Sequence, residues 1–330
     1  MTYPIIAEEY RGGILENAHQ GIICAVNGDK DVLFEKGDVS QQVYYRSSMK
    51  PIQAIPVFTT DIMEKFQLTN EEAALFTASQ RGERYQEETL ERLMGKLNLS
   101  EDMLICNQSY PLNETPKESY IRNQKPRRRL LHNCAGKHLG FLAYAREKGY
   151  DLDGYGELEH PIQQKILQYI TELSETPLDE IHSAIDGCGV PVHAVSLKNM
   201  AISYLKIGNP MLIENFEVRR SIEKVDKVMH EAPEIVASHQ FICTELLTDS
   251  NIVAKGGAQG VYCLALKKEK IGIALKVLSG SELIWPVLVA ELLKKLDYSN
   301  KATIDRLLKL RSHEIVNDNG KAVGQTKIIL

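Results

Sequence analysis

Absent from this sequence are a CxxC pair, a basic N-terminal segment followed by an apolar stretch, and any apolar run near the roughly 18 residues of a membrane span. No secretory signal or membrane partner is therefore expected, and the chain reads as cytoplasmic. An excess of positive charge is also lacking. With 39 Lys and Arg against 44 Asp and Glu, the net charge of -5 does not recommend a nucleic-acid partner. The one basic run, Lys125-Pro126-Arg127-Arg128-Arg129, has no interleaved aromatics and reads as a solvated loop or as charges near a carboxylate-binding site. Six cysteines (Cys24, Cys106, Cys134, Cys188, Cys243, Cys263) lie far apart, which fits free thiols better than a disulfide framework. Any that act together would do so through a metal. No repeat, low-complexity segment or linker divides the chain. Its 330 residues, 25% charged and 43% hydrophobic, have the composition of a folded protein, and residues 1–330 read as one domain with a sizeable core.

Sheet opens the chain. Alternating and β-branched residues over 5–10, 22–26 and 32–35, with Asn27-Gly28 as a hairpin turn, predict strands. Helical periodicity begins at Ser47 and recurs over 71–79, 85–97 and 136–148, the first of these three starting at an Asn70 N-cap with acidic residues in its first turn. Residues 104–126 are polar and Pro-rich and read as a long functional loop or flap. Helices are expected over 161–173, where Pro161 suits a first turn, and over 196–206 and 216–229. A short apolar piece covers 241–247. Strands over 261–266 and 271–277 pair across charged Lys267 to Lys270, then come helices over 282–296 and 304–310 and a last strand over 324–330. Strands at both ends with helices between them fit an α+β layout, a helical lobe inserted into a sheet layer.

Five stretches carry chemistry. In Arg46-Ser47-Ser48-Met49-Lys50-Pro51-Ile52-Gln53-Ala54, Ser47 and Lys50 are three apart. On a helix that spacing leaves their Cβ atoms about 5 to 6 Å from each other, so a neutral amine could take the hydroxyl proton. Ser221 and Lys224 match the same pattern but sit among charges and read as a solvated helix face. His132-Asn133-Cys134-Ala135-Gly136-Lys137-His138 and Asp186-Gly187-Cys188-Gly189-Val190-Pro191 each put a thiol in a turn of small residues. Cys134 and Lys137 lie one turn apart at a helix N-terminus that favours a thiolate. With Cys188 alongside, two sulfurs and nitrogen from Lys137, His132 or His138 would suit tetrahedral zinc; alone, such cysteines read as small buried fillers. Lys255-Gly256-Gly257, just before the strand over 261–266, is like the Lys-Thr-Gly of penicillin-recognising enzymes. Ser79, ahead of Gly82, is the second hydroxyl candidate, or simply the polar end of a helix.

In chain order, Arg46 to Ala54, Ala78 to Glu83, His132 to Gly140, Asp186 to Pro191 and Ala254 to Tyr262 resemble the rhizobial-type (class 3) L-asparaginase family, asparaginase II-like proteins. HNCAGKH and DGCGVP carry most of the likeness, and RSSMKPIQA, His160-Pro161 and AKGGAQGVY agree with it. The resemblance implies a fold similar to serine β-lactamases and serine-dependent glutaminases: an antiparallel sheet flanked by helices with a mainly helical lobe. It also implies a homodimer that hydrolyses L-asparagine to L-aspartate and ammonia. By matching positions, Ser47 with Lys50 and Ser79 with Lys255 look like two Ser-Lys pairs, and Cys134, Lys137 and Cys188 like ligands of one zinc ion per subunit that supports substrate binding. Asp186 is our candidate for the substrate's α-ammonium, and Arg46 or Arg81 for its α-carboxylate. Gln80-Arg81, Gly256-Gly257 and Leu278-Ser279-Gly280 depart from the family pattern, which has a smaller polar pair, Thr-Gly and an acidic turn there. Rival readings are a glutaminase or other amide or β-lactam hydrolase on the same scaffold, and a non-catalytic amino-acid- or zinc-binding protein; ammonia release from a substrate panel separates them.

Overall fold

The computed structural model describes residues 3–330. Its strands, in chain order, are β1 (Ile5–Arg11), β2 (Ile14–Val26), β3 (Val32–Lys36), β4 (Gln42–Tyr44), β5 (His182–Ile185), β6 (Pro191–Ser196), β7 (Ile252–Gly256), β8 (Val261–Leu266), β9 (Ile271–Val277), β10 (Glu314–Val316) and β11 (Ala322–Ile328). Eight form one sheet in the order β10-β11-β1-β2-β9-β8-β7, with β3 also on β2, while β4, β6 and β5 form a second, small one. Every pairing is antiparallel.

The spine of the large sheet is β2. Its residues 14–20 are mostly exposed and pair with β1, whereas 21–26 are buried between β9 and β3. Because strand side chains alternate, that buried half serves two cores: Ile22, Cys24 and Val26 point into one, Ile23 and Ala25 into the other. Helices from the middle of the chain, among them Lys50–Phe58, Ala135–Glu147, Leu197–Gly208 and Phe216–Glu231, fill the first. Helices Ile242–Leu247, Trp285–Lys295 and Lys301–Leu310 cover the second. The chain is thus α+β, an antiparallel sheet flanked by helices, with strands from both ends and a mainly helical layer between, as the sequence pattern predicts.

Several local expectations change. The helix expected from an Asn70 cap starts at Thr69 instead, whose hydroxyl accepts from Glu72 N–H while the Glu72 carboxylate accepts from Thr69 N–H. It runs only from Asn70 to Ala74 and tightens into the 3-10 turn Leu75–Thr77. Ala78 is already extended, so Ser79 lies beyond the helix rather than on it. The expected flap over 104–126 holds a helix, Glu114–Arg122, and a bridge between Ser109 and Arg128. Arg128 of the basic run is a clasp, pairing with Glu87, Glu91 and Glu101. Ser221 is buried, not solvated, and donates to Glu217 O at 2.9 Å, so it has no amine partner. Among the described residues no helix is long and apolar enough to cross a membrane.

Candidate active site

The 3-10 turn Arg46–Met49 leads into helix Lys50–Phe58, all nine of whose residues are buried. Arg46 sits at φ +51°, a left-handed backbone that a non-glycine residue keeps only where its surroundings hold it. They do so here. Tyr45 N–H donates to His193 O at 3.0 Å, Tyr45 OH to Ser203 Oγ at 2.9 Å, and Tyr204 OH to Ser48 O at 2.7 Å. From the other side, the chain just after β7 presses on the turn so closely that a Cβ on Gly257 would lie 2.6 Å from Tyr45 O. Only glycine permits that approach.

Two amines converge beneath the turn. Lys50 is fully buried, and its Nζ reaches Ala78 O at 2.6 Å, Ser79 Oγ at 2.9 Å and Asn133 O at 3.1 Å. Lys255, 1% exposed, comes from inside β7, a strand that the pattern around this lysine did not reveal, and reaches Ser79 Oγ and Gly256 O, both at 2.8 Å. Ser47 lines the pocket with Ser79 and Lys255 but makes no hydrogen bond to Lys50. The helical-neighbour contact expected between Ser47 and Lys50 is therefore replaced by one between Lys50 and Ser79, because two backbone carbonyls draw the amine to that end of an otherwise apolar enclosure. Burial pulls the Lys50 amine below its ordinary value, with Lys137 adding to the effect and the sulfurs of Cys134 and Cys188 opposing it. Burial likewise lowers Lys255, to about 8. A neutral amine has two N–H bonds and a lone pair. On Lys50 these match two carbonyls and the Ser79 hydroxyl.

Cys134 caps helix Ala135–Glu147, and its N–H donates to His132 Nδ1 at 3.1 Å, which occupies that ring nitrogen. Cys188 sits in the turn between β5 and β6, where Gly189 has φ +88°. Both thiols are 3% exposed. Their mutual interaction holds Cys134 well below the usual thiol range and pushes Cys188 up. Lys137 Nζ lies 3.1 Å from Cys188 Sγ; burial opposes its charge, but Cys188, Cys134 and Asp186 outweigh it and raise the amine. Of the nitrogens considered, Lys137 Nζ is within reach of Cys188 Sγ and His132 lies beside Cys134, while His138 Nδ1 faces Tyr155 OH at 2.8 Å. No three His, Cys, Asp or Glu side chains gather among the described residues.

Asp186 and Arg46 pair with each other at 2.8 Å and neither lines the pocket that holds Ser47 and Ser79. Arg81 does line it, together with Asn133, Phe241, Ala258, Glu282 and Trp285. Ala258 belongs to the stretch Ala254 to Tyr262 singled out above, whereas Phe241, Glu282 and Trp285 lie outside every motif. Gly256 is packed tightly: a Cβ there would lie 3.2 Å from both the Trp285 and the Tyr262 rings, so a threonine side chain would press on two aromatic rings. Gly256 N–H is turned to Cys243 Sγ at 3.2 Å and Gly257 N–H to Val261 O at 2.8 Å. By contrast, the backbone N–H groups of Ser47 and Ala258, both on the pocket wall, have no acceptor among the described residues.

No curated protein matches this chain. Among solved structures, a β-lactamase from Mycobacterium bovis is similar over 83% of this chain and 94% of its own, at 12% identity and a TM-score of 0.41. Mglu in its tris and glutamate form is similar over 90% of this chain and 63% of its own, at 14% identity and a TM-score of 0.37. Simvastatin synthase from Aspergillus terreus is similar over 78% and 86%, at 13% identity and a TM-score of 0.35. Likeness at this level says nothing about activity. The L-asparaginase II family, in contrast, matches residues 7–328. With Ser47, Ser79 and Lys255 lining one pocket and Lys50 bonded to Ser79 from beneath it, this chain belongs to the L-asparaginase II family of amidohydrolases.

Proposed function

We propose that the chain is an L-asparaginase that hydrolyses L-asparagine to L-aspartate and ammonia by double displacement at Ser47. The observation that carries the reading is Ser79 Oγ held between two buried amines in the pocket that Ser47 lines. Ser47 Oγ attacks the side-chain amide carbon while its proton passes through Ser79 to neutral Lys50. The resulting oxyanion takes hydrogen bonds from the N–H groups of Ser47 and Ala258. The proton returns through Ser79 to the amide nitrogen, the C–N bond breaks, ammonia leaves and a β-aspartyl ester remains on Ser47. Water then adds to the ester, its proton follows the same route, and breaking the C–O bond frees aspartate. Lys255, charged, steadies the Ser79 oxygen while the proton is in transit. Ser47 rather than Ser79 is the nucleophile because Ser79 N–H is tied to Val236 O at 2.8 Å and cannot serve an oxyanion.

The reading includes one zinc ion on Cys134, Lys137 and Cys188. A tetrahedral zinc with ordinary bond lengths separates a sulfur and a nitrogen ligand by about 3.6 Å. The 3.1 Å between Lys137 Nζ and Cys188 Sγ needs only a small opening, with loss of the amine's extra proton and of the proton on the sulfurs. When bound, zinc supplies a positive centre that helps hold the substrate. Replacing Cys188 by alanine is expected to remove most of the metal and to raise KM more than it lowers kcat. Unchanged zinc content by mass spectrometry would refute the ligand set.

The function itself is tested by ammonia release from asparagine and glutamine, with and without added zinc. Preference for asparagine is expected to be about tenfold or more, the scale on which a pocket discriminates one methylene. Equal turnover of glutamine would favour the glutaminase reading, and binding without ammonia a non-catalytic one. The reading also takes the enzyme as a cytoplasmic homodimer, which sedimentation and cell fractionation check.

A further inference from the structure

The pocket has a charged end that the family motifs do not account for. Arg81 is locked in place there. Its Nε donates to Asn113 Oδ1 at 2.6 Å, its guanidinium lies 4.7 Å over the Phe241 ring, and its carbonyl accepts from Leu112 N–H at 2.9 Å and Asn113 N–H at 3.0 Å. Neither terminal nitrogen has an acceptor among the described residues, which leaves a fixed fork of N–H donors open to the pocket. Glu282 stands at the exposed rim of the same pocket. Its carboxylate has no hydrogen bond or ion pair among the described residues, while its backbone carbonyl accepts from the Trp285 backbone N–H at 3.3 Å. The two charges influence each other across the pocket yet do not touch. An arginine and a carboxylate kept apart over a cavity leave room for a ligand bearing the complementary charges on neighbouring atoms, an α-amino acid in its zwitterionic form.

We propose that Glu282 receives the substrate's α-ammonium opposite Arg81, which receives its α-carboxylate, and that this pair selects free α-amino acids over amides lacking the amino group. The assignment rests on the asparaginase reading and replaces Asp186, whose charge is met by Arg46 at 2.8 Å outside this pocket. It also gives a use to the segment after Leu278-Ser279-Gly280: the acidic turn expected there is missing, and a carboxylate stands two residues beyond Gly280.

The test compares kcat/KM for asparagine with that for succinamate, the same amide without its α-amino group, in the parent enzyme and in Glu282→Gln. The parent is expected to prefer asparagine, and the variant to lose about two- to fivefold of that preference, the order for one solvent-reachable charged contact. The loss should lie mainly in KM. Because the side chain is at the rim, the substitution leaves the core packing alone. An unchanged ratio, or an equal loss on both amides, overturns the assignment while leaving the asparaginase reading standing. A parent enzyme that releases ammonia from neither amide overturns both.

Discussion

Replacing Ser47 with alanine is expected to lower ammonia release from asparagine by about 10^4-fold or more, the scale seen when a covalent nucleophile is removed. Thermal unfolding should stay close to the parent, because Ser47 is only half-buried and its side chain holds no other element in place. Ser79→Ala is the informative companion. Ser79 is read as a proton relay, whose removal should cost about 10^2- to 10^4-fold. A denaturing quench followed by mass spectrometry distinguishes the two. The Ser79 variant should still accumulate a β-aspartyl ester on Ser47, and the Ser47 variant none. An ester found on Ser79, or a fully active Ser47→Ala enzyme, would reverse the assignment made from the free N–H groups of Ser47 and Ala258.

Lys255→Met should move activity and stability in opposite directions. Activity should fall by about 10^3-fold, because the charge that steadies the Ser79 oxygen is gone. Stability should rise. Burial lowers the Lys255 amine from an ordinary 10.5 to about 8, so the fold disfavours its protonated form. Below pH 8 that penalty is present in full, about 3 kcal/mol by linkage. It fades as pH rises from about 8 to 10.5, where the amine is neutral in both folded and unfolded chains. Some of the gain is offset by the hydrogen bonds that Ser79 and Gly256 O lose, leaving about 1 to 2 kcal/mol at pH 7 and a Tm higher by a few degrees. The advantage should shrink toward pH 10. In the parent, turnover should decline above about pH 8 as Lys255 loses its charge. A flat rate from pH 7 to 10, or a variant less stable than the parent at pH 7, contradicts this account.

How much of this could be read beforehand depended on the range over which each feature is decided. Strands β8 and β9 are continuous apolar runs bounded by charged turns, and the sequence locates both to the residue. The neighbouring β7 escaped because its five buried residues include a lysine, and charge in a short run usually marks a loop. Ser79 was expected at a helix end. The chain leaves the helix earlier, since Leu75–Thr77 is a 3-10 turn whose Thr77 hydroxyl donates to Ala74 O. Asp186 and Arg46 each looked free to meet a ligand, yet they meet each other across 140 positions of sequence. Glu282 and Trp285 carry no local pattern that separates them from ordinary residues at the start of a helix.

The sequence by itself determined the chemical inventory: which hydroxyls, amines and thiols are present, which short motifs hold them, and which alternations of apolar residues must become sheet or helix. Periodicity assigns a side chain to a face because backbone geometry repeats every 2 or 3.6 residues. It carries no information about what that face will meet. Only the tertiary structure decided that Ser79 would stand between Lys50, 29 positions away, and Lys255, 176 positions away, and that Lys137 would reach Cys188 rather than its own helix. Those distances are settled by how two helical layers close over one twisted sheet, a matter of packing that no local run of residues specifies.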